Sequence, residues 1–372
     1  MIRLGWKMRQ LLLILCLNLA CFSGPLLAAS FAEEVMTEQT FYQLLPQQSP
    51  LSEQFSTLVN SPPNPLRISQ QTPIRVVFLL FGDVADWQNQ RMLNAFKKRM
   101  RELGIVYRLD TYVDRSGYGT DFIAHLPVIE MESDYIIATK FNVSLRRLFE
   151  RFLIQGQGKL ILFDFATPVV HWVPRPPLIY VGFNQFKTVQ MLASYLDRQL
   201  PPSARISALV LPESYLGQIR CDGFLDEMNR YGRDVDSIYV VEDNVQQAIK
   251  RTKVLLANQK TDFIFSCSQN MAAGVLQVLR GNEAYSHIQT NVWGAFNAQL
   301  TELKDRHIKA NILFYWDDLS IAIAEAIKLD LEGRNLPNLY VARSPLLTED
   351  IDPESLGLML QQAYHYSVQK WQ

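Results

Sequence analysis

A row of polar and aromatic side chains stands just past the short apolar runs of this chain. Asp164 follows "KLILF", Thr139 and Lys140 follow "SDYIIA", and Gln269 and Asn270 follow "DFIFSCS". Arg220 lies in "PESYLGQIR", directly after "RISALVL". Trp87 follows "IRVVFLLFGDVAD", Trp293 ends "TNVW", and Tyr315, Trp316 and Asp317 end "ANILFYWD". Indole rings offer flat apolar faces to the C–H face of a small molecule. Asp, Arg, Asn and Gln offer planar, multidentate hydrogen bonding that fixes its orientation. Together they suit a small, polar, multiply hydroxylated ligand.

Structural roles compete at each position. Trp87 and Trp293 also suit plain core sites, Lys140 suits solvent, and Gln269 suits the surface. Asp317 and Asp318 read as caps of the helix "LSIAIAEAI", and Asn270 as the cap of "MAAGVLQV". Asp164 and Arg220 are harder to assign to scaffold, because a charge at a buried strand end needs a partner.

Catalysis finds little support. The sequence has no G-x-S-x-G, H-E-x-x-H, P-loop or G-x-G-x-x-G pattern. Glycoside hydrolysis would need a second acid opposite Asp164, and Asp317 is the candidate. The five histidines are scattered without a close pair, so neither a metal centre nor a cofactor is expected. The chain reads as a binding protein rather than an enzyme, a periplasmic glycoside-acting enzyme being the alternative of another class.

The elements that must carry these residues alternate regularly. Buried-strand runs are expected at 74–81, 133–139, 177–183, 205–211, 262–268 and 310–316, among about ten strands. Amphipathic segments such as "DWQNQRMLNAFKKRMRELG", "FKTVQMLASYLDRQL", "VQQAIKRTKVLLANQ" and "AQLTELKDRH" separate them. That alternation implies parallel sheets covered by helices on both faces. Ten strands divide more naturally into two βα lobes than one sheet, and ligands of such sheets bind beyond the carboxyl ends of the strands.

The 372 residues suffice for two lobes, and 20% charged residues with no long single-sign run argue against nucleic-acid binding. Residues 1–32 have the layout of a secretory signal peptide: Arg3, Lys7 and Arg9, then "LLLILCLNLACF", then small residues. Lipid attachment at Cys21 is the lesser alternative, since Asn18 departs from a lipobox. Removal of this segment takes the formal net charge from −1 to −4. The expected compartment is the periplasm, where Cys221 and Cys267 either pair or stay separate buried thiols. Residues 33–72 read as an irregular surface arm containing "SPPNPLRISQQTP".

In order and spacing, "SDYIIAT", "KLILFDFATPV", "PLIYVGFN", "YLGQIRCDGFLDEMNR", "DFIFSCSQNMAAG", "VWGAFNAQL" and "DDLSIAIAEAIKLDLEG" resemble the LuxP-type autoinducer-2-binding proteins. These belong to the type I periplasmic sugar-binding proteins. The resemblance implies two doubly wound parallel-sheet lobes joined by three crossing segments, near Phe183, residues 311–316 and residues 336–340. Lobe one would hold 73–183 plus 312–336, and lobe two 184–311 plus 337–372. It implies as partner a membrane sensor kinase, as for LuxP-type proteins, or the permease of an ABC importer, as for their wider relatives. Residue by residue, Trp87, Thr139, Arg220 and Trp293 match the expected ligand contacts. Asp164 stands in place of Asn, Gln269 and Asn270 in place of Thr and Asp, and Gly82 and Val84 in place of polar side chains. Phe314 stands in place of a second Arg. The changes shift the pocket towards negative charge, so a neutral or cationic ligand is expected over the anionic borate ester of autoinducer-2. A true autoinducer-2 receptor is the alternative within binding proteins.

Overall fold

The computed structural model describes residues 34–116, 119–141, 143–155, 158–294 and 305–367. The expected signal segment with Cys21, and most of the helix expected in "AQLTELKDRH", lie outside them. The described chain forms two six-stranded sheets. The first runs β11-β5-β4-β3-β1-β2 and the second β12-β10-β9-β8-β6-β7. In the first, β1 is Ile74–Phe81, β2 Tyr107–Asp114, β3 Tyr135–Ala138, β4 Lys159–Phe163, β5 Ile179–Phe183 and β11 Leu339–Ala342. In the second, β6 is Ile206–Val210, β7 Val235–Val240, β8 Phe263–Ser266, β9 Gln289–Trp293, β10 Ile308–Ile312 and β12 Leu346–Thr348. Every pairing is parallel except β10 with β12.

Local sequence accounts for this layering. The inner strands β3, β5, β6 and β8 are buried at every position, as continuous apolar runs between two helical layers must be. The edge strand β7 alternates half-buried with exposed residues because nothing pairs beyond it. Among the described residues no helix is long and apolar enough to cross a membrane.

Twelve strands replace the expected ten. β11 and β12 are four and three residues long, too short for periodicity to reveal. β11 pairs with β5, so the first sheet continues to Ala342. The third crossing is therefore at residues 343–345 rather than 336–340, and residues 339–342 leave the second lobe for the first. β10 ends at Ile312, so residues 313–315 are the second crossing instead of a strand tail. The helix Trp316–Leu331 then returns to the first lobe and packs on the helix Trp87–Glu102.

Much of the arm is helical, against expectation. Helices Glu38–Leu44 and Gln48–Val59 lie on the first lobe, with the Phe55 ring edge-on to Tyr340 of β11. The Gln48 amide Nε2 donates to Asn338 Oδ1 at 3.0 Å while the Asn338 N–H donates back to Gln48 Oε1 at 2.8 Å. The arm thereby covers the open edge that β11 would present.

The C-terminus also departs from its expected lobe. The helix Pro353–Ala363 follows β12, and the next residues return to the first lobe. Tyr364 stacks under the Arg91 guanidinium at 3.9 Å, and the Tyr366 hydroxyl is paired with Glu102 and Arg99. Asp317 accepts from the Tyr366 N–H at 2.7 Å, and from the N–H and Oγ of Ser367. It makes no capping bond within its own helix, so neither it nor Asp318 is the cap read from sequence; the N-cap is Tyr315, without a side-chain bond.

Candidate functional site

A cavity of about 270 Å³ opens at the carboxyl ends of β1, β3 and β4. The chain turns there for identifiable reasons. After β4, Asp164 adopts a left-handed conformation with φ of 57°, alone among the described non-glycine residues. The backbone then folds across β5, where Phe165 N–H donates to Val181 O at 3.0 Å. Gly182 permits this approach, since a Cβ there would meet the Phe165 nitrogen at 2.6 Å. An acidic residue held at positive φ is a strained arrangement of the kind that collects at binding sites. It aims the carboxylate into the cavity, where Oδ1 is buried and has no hydrogen-bond partner among the described residues. Burial pushes the Asp164 carboxyl up to about 7, although Arg220 pulls in the other direction.

Four aromatic side chains share the wall with polar and charged ones. Phe81 ends β1, Phe163 ends β4, Trp87 begins the next helix and Trp316 begins the helix after the second crossing. Trp87 is 50% exposed, so it stands at the rim. Asn89 secures the loop between β1 and that helix, its amide donating to Phe81 O at 3.0 Å and Asp83 O at 2.7 Å. Thr139 Oγ1 is committed to Leu79 O at 3.0 Å, and Lys140 Nζ lies 5.3 Å from the Phe81 ring centre. Arg91 and Asp317 complete the first-lobe wall, both held by the C-terminal segment. The second lobe contributes Leu216.

Of the residues read from sequence, Trp87, Thr139, Lys140, Asp164, Trp316 and Asp317 line this cavity, and Arg220, Gln269, Asn270, Trp293, Phe314 and Tyr315 do not. Arg220 sits in a π-helical turn, Gly217–Asp222, opened by a glycine whose Cβ would meet Pro212 O at 2.6 Å. Its Nε and Nη2 donate to Gln185 Oε1 at 3.1 and 2.9 Å, and its Nη1 to Cys267 O at 3.3 Å. The guanidinium lies 4.3 Å above the Trp293 ring. Burial lowers it to about 10, with Asp164 opposing the shift. Trp293 is buried, its Nε1 donating to Ser266 O at 2.6 Å, and Phe314 lies nearly parallel to it at 6.3 Å. Gln269 opens its helix, while Asn270 is exposed and donates to Asp243 O at 3.3 Å. The cap of that helix is Ser268, which accepts from Met271 N–H, and not Asn270. Gly82 and Val84 lie in the loop after β1 and do not line the cavity either.

Cys221 and Cys267 form a disulfide, resolving the alternative left open by the sequence. It joins the π-helical turn to the residue after β8, and the carbonyl of the same Cys267 accepts from Arg220.

Gln185, Arg91 and Phe163 were not identified from sequence, and Trp316 was read only as one of several strand-end residues. Gln185 stands two residues past β5, so the strand-end rule that found Asp164 would also have found it. Arg91 carried no comparable signal, since it sits on the second turn of an exposed-looking helix.

Two α/β lobes of parallel strands with three crossings and a cavity at the strand ends are the fold of the type I periplasmic binding proteins. Residues 159–335 match the profile of the periplasmic binding protein domain family. The fold is also that of an ABC transporter periplasmic solute binding protein from Actinobacillus succinogenes solved with bound D-allose: TM-score 0.63, 17% identity, covering 75% of this chain and 98% of that one. A Caulobacter myo-inositol binding protein bound to myo-inositol gives TM-score 0.64 at 15% identity, over 76% of this chain and 95% of that one. A solute binding protein from Burkholderia multivorans gives TM-score 0.61 at 19% identity, over 74% and 100%.

Proposed function

We propose that this protein is a periplasmic solute-binding protein that takes a small, neutral, hydroxyl-bearing ligand, a sugar or related polyol, between its lobes. The observation that carries the reading is the Asp164 carboxylate, buried at the cavity wall with Oδ1 unpartnered. A buried acceptor of this kind is costly unless a ligand donor meets it. The aromatic wall suits the C–H face of the same ligand. Proteins of the same fold solved with D-allose and with myo-inositol support the ligand class. The cavity is at the small end of ligand pockets, which run to about 300–1,000 Å³. The autoinducer-2 borate ester fits less well, because Phe314 occupies the place of one expected arginine and Arg220 is already bonded.

The protein delivers its solute to the permease of an ABC importer by lobe closure, a shift of population towards the form that binds more tightly. The sensor-kinase partner rests on the LuxP-type resemblance. The disulfide suits an oxidising compartment, which supports the periplasm. Native mass spectrometry of protein purified from its own periplasm tests the reading: one small solute is retained and is lost from Asp164→Asn. No retained solute, together with no stabilisation by a panel of sugars and cyclitols, sinks it.

A further inference from the structure

The guanidinium of Arg220 is a fork of five N–H donors suited to oxyanions. Here one protein atom closes the fork. Gln185 Oε1 accepts from both Nε and Nη2, at 3.1 and 2.9 Å, in the manner of a carboxylate or borate oxygen. Cys267 O takes Nη1, and the flat face lies on Trp293. Arg220 and Gln185 are both buried and neither lines the cavity. Gln185 is the first residue of the helix Gln185–Gln199, directly after the first crossing, so its position is set by backbone and not by a mobile loop.

We propose that Gln185 is an internal ligand for Arg220 and thereby a specificity-determining residue: it withdraws the guanidinium from the solute and selects against anionic ligands. This rests on the solute-binding reading. An anion reaching Arg220 would have to displace a desolvated, charge-assisted pair of hydrogen bonds. It would also approach Asp164, the acid with the largest electrostatic influence on Arg220. A neutral polyol bound at Asp164 and the aromatic wall meets neither obstacle. Gln185 acts through Arg220, so it is a positioning residue.

The test opens the fork in the full chain with Gln185→Ala and Gln185→Ser, with Gln185→Glu as the variant that keeps an acceptor. Arg220 accessibility is read by its rate of phenylglyoxal modification, followed by peptide mass spectrometry, which requires no ligand. Modification is expected to rise at least tenfold in the Ala and Ser variants and to stay at the wild-type rate in the Glu variant. D-gluconate, an anionic polyol, is the binding probe. Its affinity by calorimetry is expected to rise at least tenfold on opening the fork in the Asp164→Asn background, where the opposing carboxylate is gone. Unchanged modification in both opening variants, or unchanged gluconate affinity in that background, overturns the proposal. Failure of the solute-binding reading would appear separately, as the absence of any retained neutral solute in the wild-type protein, and leaves the modification rates unaffected.

Discussion

Thr167 Oγ1 of the first lobe donates to the Tyr215 hydroxyl of the second at 2.9 Å. The Tyr215 ring lies 4.6 Å from the ring of Phe165, one residue beyond the acid of the cavity wall. Leu216 and Ile219 pack into the same first-lobe cluster. The loop after β6 therefore hooks the second lobe onto the first beside the cavity.

Substitutions at Tyr215 separate its hydrogen bond from its packing. Tyr215→Phe leaves the buried Thr167 hydroxyl without this partner and should cost about 1–2 kcal/mol. Tyr215→Ala removes the ring as well and should cost about 3–5 kcal/mol. Urea unfolding measures both. X-ray scattering should show a larger radius of gyration for the Ala variant only; equal radii for all three proteins would count against the hook.

Asp164 makes stability depend on pH in a stated direction. Its native value near 7 exceeds the usual carboxyl value of 3.8. Between those values the native state holds a proton that the unfolded chain has released, so stability falls as pH rises through the window. Above pH 7 the whole penalty is present, at most about 4 kcal/mol for a shift of this size. Asp164→Asn removes the charge and tolerates the positive φ. Without solute, wild type and variant should be nearly equal at pH 4, with the variant more stable by a growing margin to pH 8. A constant difference across that range would refute the assignment.

The disulfide should be a large contributor to stability. Its cysteines are 46 residues apart and both buried. Closing a loop of that length is worth about 4 kcal/mol in chain entropy. The Cys221→Ser, Cys267→Ser double variant should unfold at correspondingly lower denaturant concentration. It should also loosen Arg220, visible as faster hydrogen exchange in residues 217–222.

The C-terminal segment should be required for a firm cavity wall. Tyr364 is buried and stacks on Arg91, so Tyr364→Ala should cost about 3 kcal/mol. Ser367→Ala removes an O–H donor from the buried Asp317 carboxylate and should cost about 1–2 kcal/mol. Thermal unfolding reads both. A chain ending at Ala363 should combine these losses and show faster exchange in the helix Trp87–Glu102.

The alternation of apolar runs with amphipathic segments was enough to establish the class of fold and the ends of most strands, because burial between two helical layers imposes a local pattern on composition. It also placed Trp87, Thr139 and Asp164 at strand ends, and all three line the cavity. Short pieces escaped it: β11 and β12 are defined by their pairing partners, and Asp317 is occupied by residues 49 and 50 positions away. The same limit explains Arg220. Its place after β6 was legible, but a guanidinium bonds whichever acceptor folding brings nearest, and that acceptor is Gln185, 35 residues earlier. Local periodicity decides which residues stand at the ends of strands. Only the packing of the two lobes decides which of those residues face the cavity and which face one another.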